Sequence, residues 1–226
     1  IVLGYTLFES QRSSIYFQKG LASINSGQDV VAGENYLLEA ANISKNDVYF
    51  QNLAELHILK IRALMAQVEE KSDATEAEKI DFQTILGRAI QFGLLAQETD
   101  PTNFQNHVTA ARVYETIVPV KIEGVYQSSF EAYQRAIALS PKNPALYLDL
   151  ARLEILNTNL DGAEDYILKS LELKPNFIDA IFLQSQIDVA RGNIPLAVKS
   201  VEKILSLSPS DPLGYFRLGI LKYEIK

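Results

Sequence analysis

Three tetrapeptides ending in proline lie 34 residues apart and decide the fold: Ala138-Leu139-Ser140-Pro141, Glu172-Leu173-Lys174-Pro175 and Ser206-Leu207-Ser208-Pro209. Proline makes up about 5% of residues on average, so two further prolines at preset positions arise by chance about once in 400 trials. Because proline cannot continue the hydrogen-bond ladder of a helix, each of these prolines is expected to end a helix. The spacing therefore predicts a repeated unit of 34 residues.

Small residues recur at two places within this unit. When the proline is numbered 32, position 20 is Ala163 and Ala197. Position 8 holds four further small residues: Ala111, Ala151, Ser185 and Gly219. These positions would lie on facing helices of one hairpin, where short side chains let the ridges of one helix enter the grooves of the other. Residues suited to cap the next helix lie two positions after Pro101, Pro141 and Pro209. They are Asn103, Asn143 and Asp211.

This pattern resembles the tetratricopeptide repeat over residues 104–226, with Gly192-Asn193 at the turn between two helices. The resemblance implies an all-α fold, a right-handed superhelix of antiparallel helix hairpins. The implied units are residues 104–143, 144–177, 178–211 and a partial unit, 212–226. The first is six residues longer than 34, and its extra residues around Ile117 to Gly124 predict a lengthened helix-turn.

Residues 13–103 show the pattern more weakly and are predicted to form two degenerate units. In the second of them, Ala89, Ala96 and Pro101 come 23 residues later than in a standard unit. Both of its helices are therefore predicted to be long. The polar stretch at residues 69–76 marks the turn between these helices.

Residues 1–12 open with a mostly apolar octet, Ile1 to Phe8. Eight residues are too few to span a bilayer, which takes about 20. We interpret this segment as an apolar N-terminal helix that packs on the repeats. The alternative is the stub of a membrane helix, which would tether a longer protein.

Composition restricts the chemistry of the chain. Its net charge of −7 disfavours a phosphate-binding groove, so no nucleic-acid partner is expected. It has no cysteine for a disulfide or a zinc–thiolate site, and its two histidines, His57 and His107, are expected to pack in the core rather than to form a cluster. Phosphate-binding glycine loops and metalloprotease motifs are absent from the sequence. We therefore predict no metal, no cofactor and no catalytic activity.

The tetratricopeptide resemblance implies a concave groove, lined by fixed positions of each first helix, that binds a peptide or protein segment. Carried onto this chain, those positions are Asn52, Gln105, Val108, Arg112, Leu148, Asp149, Arg152, Phe182, Gln186, Phe216 and Arg217. The two arginines at equivalent positions, Arg112 and Arg152, could form a ladder that grips carboxylates, or could be held in intrahelical ion pairs. The apolar side chains would suit an extended peptide or an amphipathic helix, or would pack against the N-terminal helix of the chain itself.

A narrower resemblance rests on three stretches: residues 100–106, residues 113–119 together with 124–126, and residues 174–182. They begin Asp100-Pro101-Thr102, Val113-Tyr114-Glu115 and Lys174-Pro175-Asn176. They are similar to the repeat region that follows the membrane domain in bacterial O-antigen ligase or polymerase-like proteins. This resemblance implies an extracytoplasmic accessory domain of a membrane-bound glycan enzyme as the alternative function, on the outer face of a bacterial membrane.

The last helix of the repeat pattern lacks a second helix to cover it. Tyr215, Leu218, Leu221 and Tyr223 give this helix apolar faces. The end of a repeat array normally carries a polar capping face. Either more repeats follow in the natural protein or this apolar surface pairs with another chain. Both alternatives predict self-association of this chain through the C-terminal helix.

Overall fold

The computed structural model describes residues 2–27, 29–71 and 74–224, and the side chains of residues 8–27, 29–69 and 74–223. This part of the chain is built from eleven α-helices and one 3-10 helix and contains no strand. The helices are α1 Val2–Asn25, α2 Val30–Ile43, α3 Asp47–Lys71, α4 Glu76–Thr99, α5 Phe104–Ile117, α6 Val125–Leu139, α7 Pro144–Leu156, α8 Leu160–Leu173, α9 Ile178–Ala190, α10 Ile194–Leu207 and α11 Pro212–Glu224; the 3-10 segment is Val118–Val120. The predicted all-α class is confirmed.

The chain forms two compact units, an N-terminal unit of residues 1–139 and a C-terminal unit of residues 140–226. In the N-terminal unit, α1 packs on α2, α3 on α4 and α5 on α6. In the C-terminal unit, α7 packs on α8 and α9 on α10, and α11 packs on α10. Each unit is thus a stack of helix hairpins.

The helix starts confirm the predicted caps. The side-chain oxygens of Asn103, Asn143 and Asp211 accept a hydrogen bond from the backbone N–H two residues on, at 3.1, 3.1 and 3.0 Å. Each bond satisfies one of the N–H groups that the first turn of a helix leaves without an internal partner. These caps fix where α5, α7 and α11 begin.

Most of the predicted small residues lie where the hairpins close, whereas Gly219 is exposed on α11. Ala111, Ala151, Ala163 and Ala197 are completely buried. In the α5–α6 hairpin a buried serine fills the equivalent place, and the Ser129 hydroxyl donates to the Ala111 carbonyl at 2.9 Å. Close approach of the paired helices depends on these short side chains.

The extra residues between α5 and α6 lie where the sequence predicted a lengthened helix-turn. The helix ends at Ile117 and continues as the 3-10 segment, because Pro119 cannot donate to a helical ladder. Lys121 and Gly124 then adopt the left-handed conformation, with φ of 59° and 79°. The extra residues therefore form a compact turn that leaves Val120 and Ile122 exposed.

The two helices α3 and α4 have 25 and 24 residues. The helices of the following hairpins have 13 to 15 residues. A capping box starts α4 sharply, since Glu78 N–H donates to the Thr75 hydroxyl and the Thr75 N–H donates to the Glu78 carboxylate. The α3–α4 hairpin consequently extends by several turns past the end of a standard hairpin.

The first half of α1 contains the apolar N-terminal segment. Its backbone is helical from Val2, while the side chains of residues 1–7 lie outside the described residues. Across the described part of the chain, no helix combines the length and the apolar composition that crossing a membrane requires.

Candidate functional site

A groove in the C-terminal unit brings together three of the residues expected to bind a partner. Its cavity of about 360 Å³ is lined on α9 by Phe182, Ser185, Gln186 and Val189, on α10 by Val201, and on α11 by Arg217, Ile220 and Leu221. We call it the C-terminal groove. Phe182, Gln186 and Arg217 are the predicted residues among them.

Arg217 supplies the positive charge of this groove. Its guanidinium carbon lies 3.9 Å from the centroid of the Phe182 ring, close enough for a cation–π interaction. Within the described residues, no carboxylate forms a salt bridge with Arg217. Its planar fork of N–H donors can therefore donate to a carboxylate or carbonyl oxygen of a partner while the ring holds it in place.

An apolar helix face borders the groove. Leu213, Phe216, Ile220 and Tyr223 recur on α11 at intervals of three or four residues, so they share one side of the helix. All four are exposed, with Phe216 at 66% and Tyr223 at 80%. We call these four residues the α11 apolar face. Contiguous exposed apolar surface beside polar groups is characteristic of an interaction site.

The predicted residues on α7 are placed differently. Leu148 is 1% exposed and belongs to the core cluster with Ala163, Ile167 and Leu183, so it cannot line an open groove. Asp149 and Arg152 form an ion pair at 2.9 Å within the helix, with Arg152 largely exposed. This arrangement is the intrahelical pairing that was the alternative to an arginine ladder.

The N-terminal unit contains the other predicted residues. Val108 is only 8% exposed and packs in the core, whereas Gln105 is exposed. Asn52 turns its side-chain amide back to donate to the Val48 carbonyl of its own helix at 2.8 Å. The burial of Val108 and Leu148 corrects the predicted lining, because a position in the repeat specifies a face of a helix and not what covers that face.

Arg112 pairs with a carboxylate on another helix of the same unit. Its guanidinium lies 2.6 Å from the Glu55 carboxylate on α3. Burial raises the pKa of Glu55, and the charges of Arg112 and Arg62 partly oppose that shift. Both this arginine and Arg152 thus have a carboxylate partner within their own unit.

The two histidines are buried and take part in local hydrogen bonds. The His107 Nε2–H donates to the Pro101 carbonyl at 3.0 Å, and the Gln97 amide donates to Nδ1 at 3.2 Å. The His57 Nδ1–H donates to the Leu53 carbonyl at 2.8 Å. Packing roles were predicted for both residues.

Sequence reasoning missed a buried charge cluster around His57. The Glu34 carboxylate on α2 lies 3.3 Å from His57 Nε2, 3.5 Å from the Arg88 guanidinium on α4, and in direct contact with the Lys60 amine on α3. Burial, together with the charges of Lys60 and Arg88, lowers the pKa of His57, and the hydrogen bond to Leu53 and the Glu34 charge oppose this shift. The cluster connects three helices. No sequence motif predicts it, because its members are far apart in the chain.

The described residues form no candidate metal site. No group of three or more histidine, aspartate or glutamate side chains is close enough to hold an ion, as far as the described residues go. The acidic pair Asp161 and Glu164 on α8 instead contacts the Arg191 guanidinium, whose hydrogen bond lowers the pKa of Glu164. These carboxylates form a surface ion-pair network.

Comparisons with known proteins agree with this fold. The family model of the tetratricopeptide repeat matches residues 122–187. The TPR repeat-containing protein MJ0941 of Methanocaldococcus jannaschii is 35% identical over 68 residues, which make up 30% of this chain and only 20% of that relative. Residues 122–187 therefore carry tetratricopeptide repeats.

Solved structures extend the likeness beyond the matched residues. TTC0263, a thermophilic TPR protein of Thermus thermophilus, is similar with a TM-score of 0.66 at 14% identity, over 93% of this chain and 99% of that chain. The MamA fragment 41-end of Desulfovibrio magneticus RS-1 has a TM-score of 0.59 at 15% identity, over 89% of this chain and 97% of that chain. At these identities the likeness shows the fold alone, which is of the tetratricopeptide type.

Proposed function

We propose that this chain is a non-catalytic scaffold that binds a peptide segment of a partner protein in the C-terminal groove. The observation that carries the proposal is the meeting of the α11 apolar face with Arg217, which lines the groove together with Phe182 and Gln186. Apolar contacts to the face would supply affinity, and hydrogen bonds to Arg217 and Gln186 would fix the register of the bound segment.

The other predicted residues extend this proposal rather than carry it. Gln105 and Arg152 are exposed and remain proposed partner contacts in their own units, together with Asn52, Arg112 and Asp149, which would first have to release their present hydrogen bonds or ion pairs. We also keep the predicted division into residues 1–12, 13–103 and 104–226 as a proposal. The N-terminal unit and the C-terminal unit would then each contribute contacts of their own to a partner.

Affinity capture tests the proposal directly. The wild-type chain, the double variant Phe216→Glu/Ile220→Glu and the control variant Leu168→Glu serve as baits in extracts of the source cell. Leu168 lies on α8 and is 51% exposed, so its substitution adds a charge of the same sign to the same unit away from the groove. A partner protein should be recovered by the wild type and the control and lost by the double variant. Equal recovery by all three baits would refute the assignment of this groove.

A second function is favoured by one observation. Three of the exposed side chains on α11 are aromatic, Tyr215, Phe216 and Tyr223. Sugar rings stack on such surfaces, so the alternative is an extracytoplasmic accessory domain of a membrane-bound glycan ligase or polymerase, with a membrane tether in the full-length protein. Polysaccharide in the captured fractions, in place of a protein partner, would support this alternative over the peptide scaffold.

The α11 apolar face could also be covered by a second copy of the chain. Self-association through this face predicts that the sedimentation coefficient of the wild type rises with concentration. The double variant Phe216→Glu/Ile220→Glu should sediment as a monomer at the same concentrations, because a charge on each side would repel its copy. A wild type that stays monomeric throughout would exclude this mode of association.

A further inference from the structure

Two irregularities of the repeat pattern converge on one cleft in the N-terminal unit. The additional length of α3 and α4 and the extra residues between α5 and α6 are far apart in sequence, and neither has a part in the C-terminal groove. The cavity of about 470 Å³ between them is lined by residues of both: Leu64, Met65, Val68, Glu69, Ala74, Glu78, Lys79, Phe82, Gln83, Leu86, Val120 and Ile122. We call it the hairpin cleft.

The walls of the hairpin cleft are apolar. On α3, Leu64 and Val68 are one turn apart and share a face, as Phe82 and Leu86 do on α4. All four are half-buried, so part of each side chain remains accessible in the cleft. Met65, the only methionine of the chain, adds a flexible side chain that can adapt to an occupant. A cavity of this size falls in the range of about 300–1,000 Å³ that is usual for binding sites.

One side of the hairpin cleft stays open to solvent. Val120 and Ile122 are each 45% exposed, although they line the cavity. A lipid chain placed here would keep one side in water. An amphipathic helix would instead bury its apolar face in the cleft and present its own polar face to solvent, which is the usual way in which a helix occupies a groove.

The rim of the hairpin cleft is acidic. Among the side chains that the structure describes here, Glu69, Glu76 and Glu78 are carboxylates and Lys79 is the single amine. Of these, Glu69, Glu78 and Lys79 line the cavity, and the Lys79 amine is already 2.7 Å from the Glu76 carboxylate. An occupant with lysine or arginine beside its apolar side chains is complementary to this rim, whereas an acidic occupant would be repelled.

The geometry points to the hairpin cleft as a second partner site, which takes a basic amphipathic helix of another protein. Large aliphatic side chains of that helix occupy the cavity, and its lysine or arginine side chains lie against the acidic rim. This site belongs to the N-terminal unit and is independent of the C-terminal groove. The chain then holds two protein segments at once.

Selection from a random library of displayed 16-residue peptides tests this inference. The wild-type chain is the target, and the double variant Val120→Ser/Ile122→Ser, which removes apolar contacts without adding charge, is the competitor that removes peptides bound elsewhere, including those in the C-terminal groove. We expect enriched peptides to carry large aliphatic residues at spacings of three or four, with lysine or arginine next to them. Enrichment of neutral or acidic peptides would overturn the inference. So would a selection in which every enriched peptide is removed by the competitor.

The binding site of the enriched peptides is located by measuring their affinities for the wild type and for three variants. By fluorescence anisotropy, Val120→Ser/Ile122→Ser should weaken binding relative to the wild type by about tenfold or more, as expected when apolar anchors lose their pocket. Glu69→Lys should weaken it by roughly threefold, the size of an exposed charge contribution. Leu59→Ser, at an exposed apolar residue of α3 that does not line the cleft, should leave it unchanged.

Two further outcomes are decisive. Equal binding of the peptides to wild type and Glu69→Lys would overturn the assignment of a basic partner, and this single exposed substitution does not rely on the folding of the double variant. If no peptide is selected but the wild type binds dansyl-undecanoic acid and the double variant does not, the cleft is a site for small apolar molecules and the inference fails. Far-ultraviolet circular dichroism of each variant confirms that its helix content is unchanged.

Discussion

Leu148→Ala separates the two roles that this residue could have. If Leu148 lined a binding groove, its truncation would weaken partner binding and cost little stability. In the structure it is 1% exposed and packs against Ala163, Ile167 and Leu183 in the core of the C-terminal unit. The substitution should therefore destabilise that unit and leave the C-terminal groove intact.

The expected loss follows from burial. Burying a leucine side chain contributes roughly 1.5–3 kcal/mol by transfer from water. The cavity left among rigid neighbours adds to this, so Leu148→Ala should lower the free energy of unfolding by about 2–5 kcal/mol. The matched truncation Leu168→Ala, at a residue 51% exposed on α8, should cost no more than about 1 kcal/mol.

Urea unfolding followed by circular dichroism measures both variants. Because the chain has two compact units, amide hydrogen exchange should accompany it, and the loss of protection should be confined to α7, α8 and α9. A loss below about 1 kcal/mol for Leu148→Ala, equal to that of Leu168→Ala and accompanied by weaker partner capture, would refute our placement of this residue in the core.

Three further predictions concern the charge cluster, the hairpin contact and the turns. Burial lowers the pKa of His57, so the unfolded state binds more protons, and the free energy of unfolding should fall as the pH drops below 6.5, the ordinary pKa of histidine. His57→Gln should reduce this pH dependence in urea unfolding. Ala163→Leu forces a larger side chain between α7 and α8 and should cost about 1–3 kcal/mol in the same assay. Gly192→Ala, at φ 75°, should lower the free energy of unfolding by about 1 kcal/mol, whereas Gly219→Ala in the exposed part of α11 should raise it by up to about the same amount.

Each of these predictions has an outcome that contradicts it. A pH dependence that persists in His57→Gln would assign the effect to other groups of the cluster. Full stability of Ala163→Leu would mean that α7 and α8 can separate without cost. Equal effects of the two glycine substitutions would show that the left-handed conformation of Gly192 is not what requires glycine there.

The elements that the sequence predicted well are those whose causes are local. Asn103, Asn143 and Asp211 cap helices because each needs only a backbone N–H two residues away. The turn at Gly192 needs only its positive φ. The segment after α5 was less well predicted, since Pro119 could end a helix or continue it as a 3-10 turn, and packing decides between these conformations.

Prediction of the site was weaker because it depends on what covers each helix face. Val108, Leu148, Phe182 and Phe216 occupy the same position of successive units, yet the first two are buried and the last is 66% exposed. A neighbouring helix makes the difference, and no single residue encodes it. The cluster around Glu34 was missed for a related reason, since His57 and Arg88 reach it from two other helices.

The length of the α3–α4 hairpin can change without rearranging the other helices. Within each unit, helices pack mainly on their neighbours in sequence, so contacts are local and folding requires few long loop closures. Inserting seven residues into each of α3 and α4 would lengthen the hairpin by about 10 Å and add roughly two turns to its free end. The faces that pack on α2 and α5 would keep their order. Evolution or design can therefore change the length of the α3–α4 hairpin by whole helical turns while the other hairpins keep their packing.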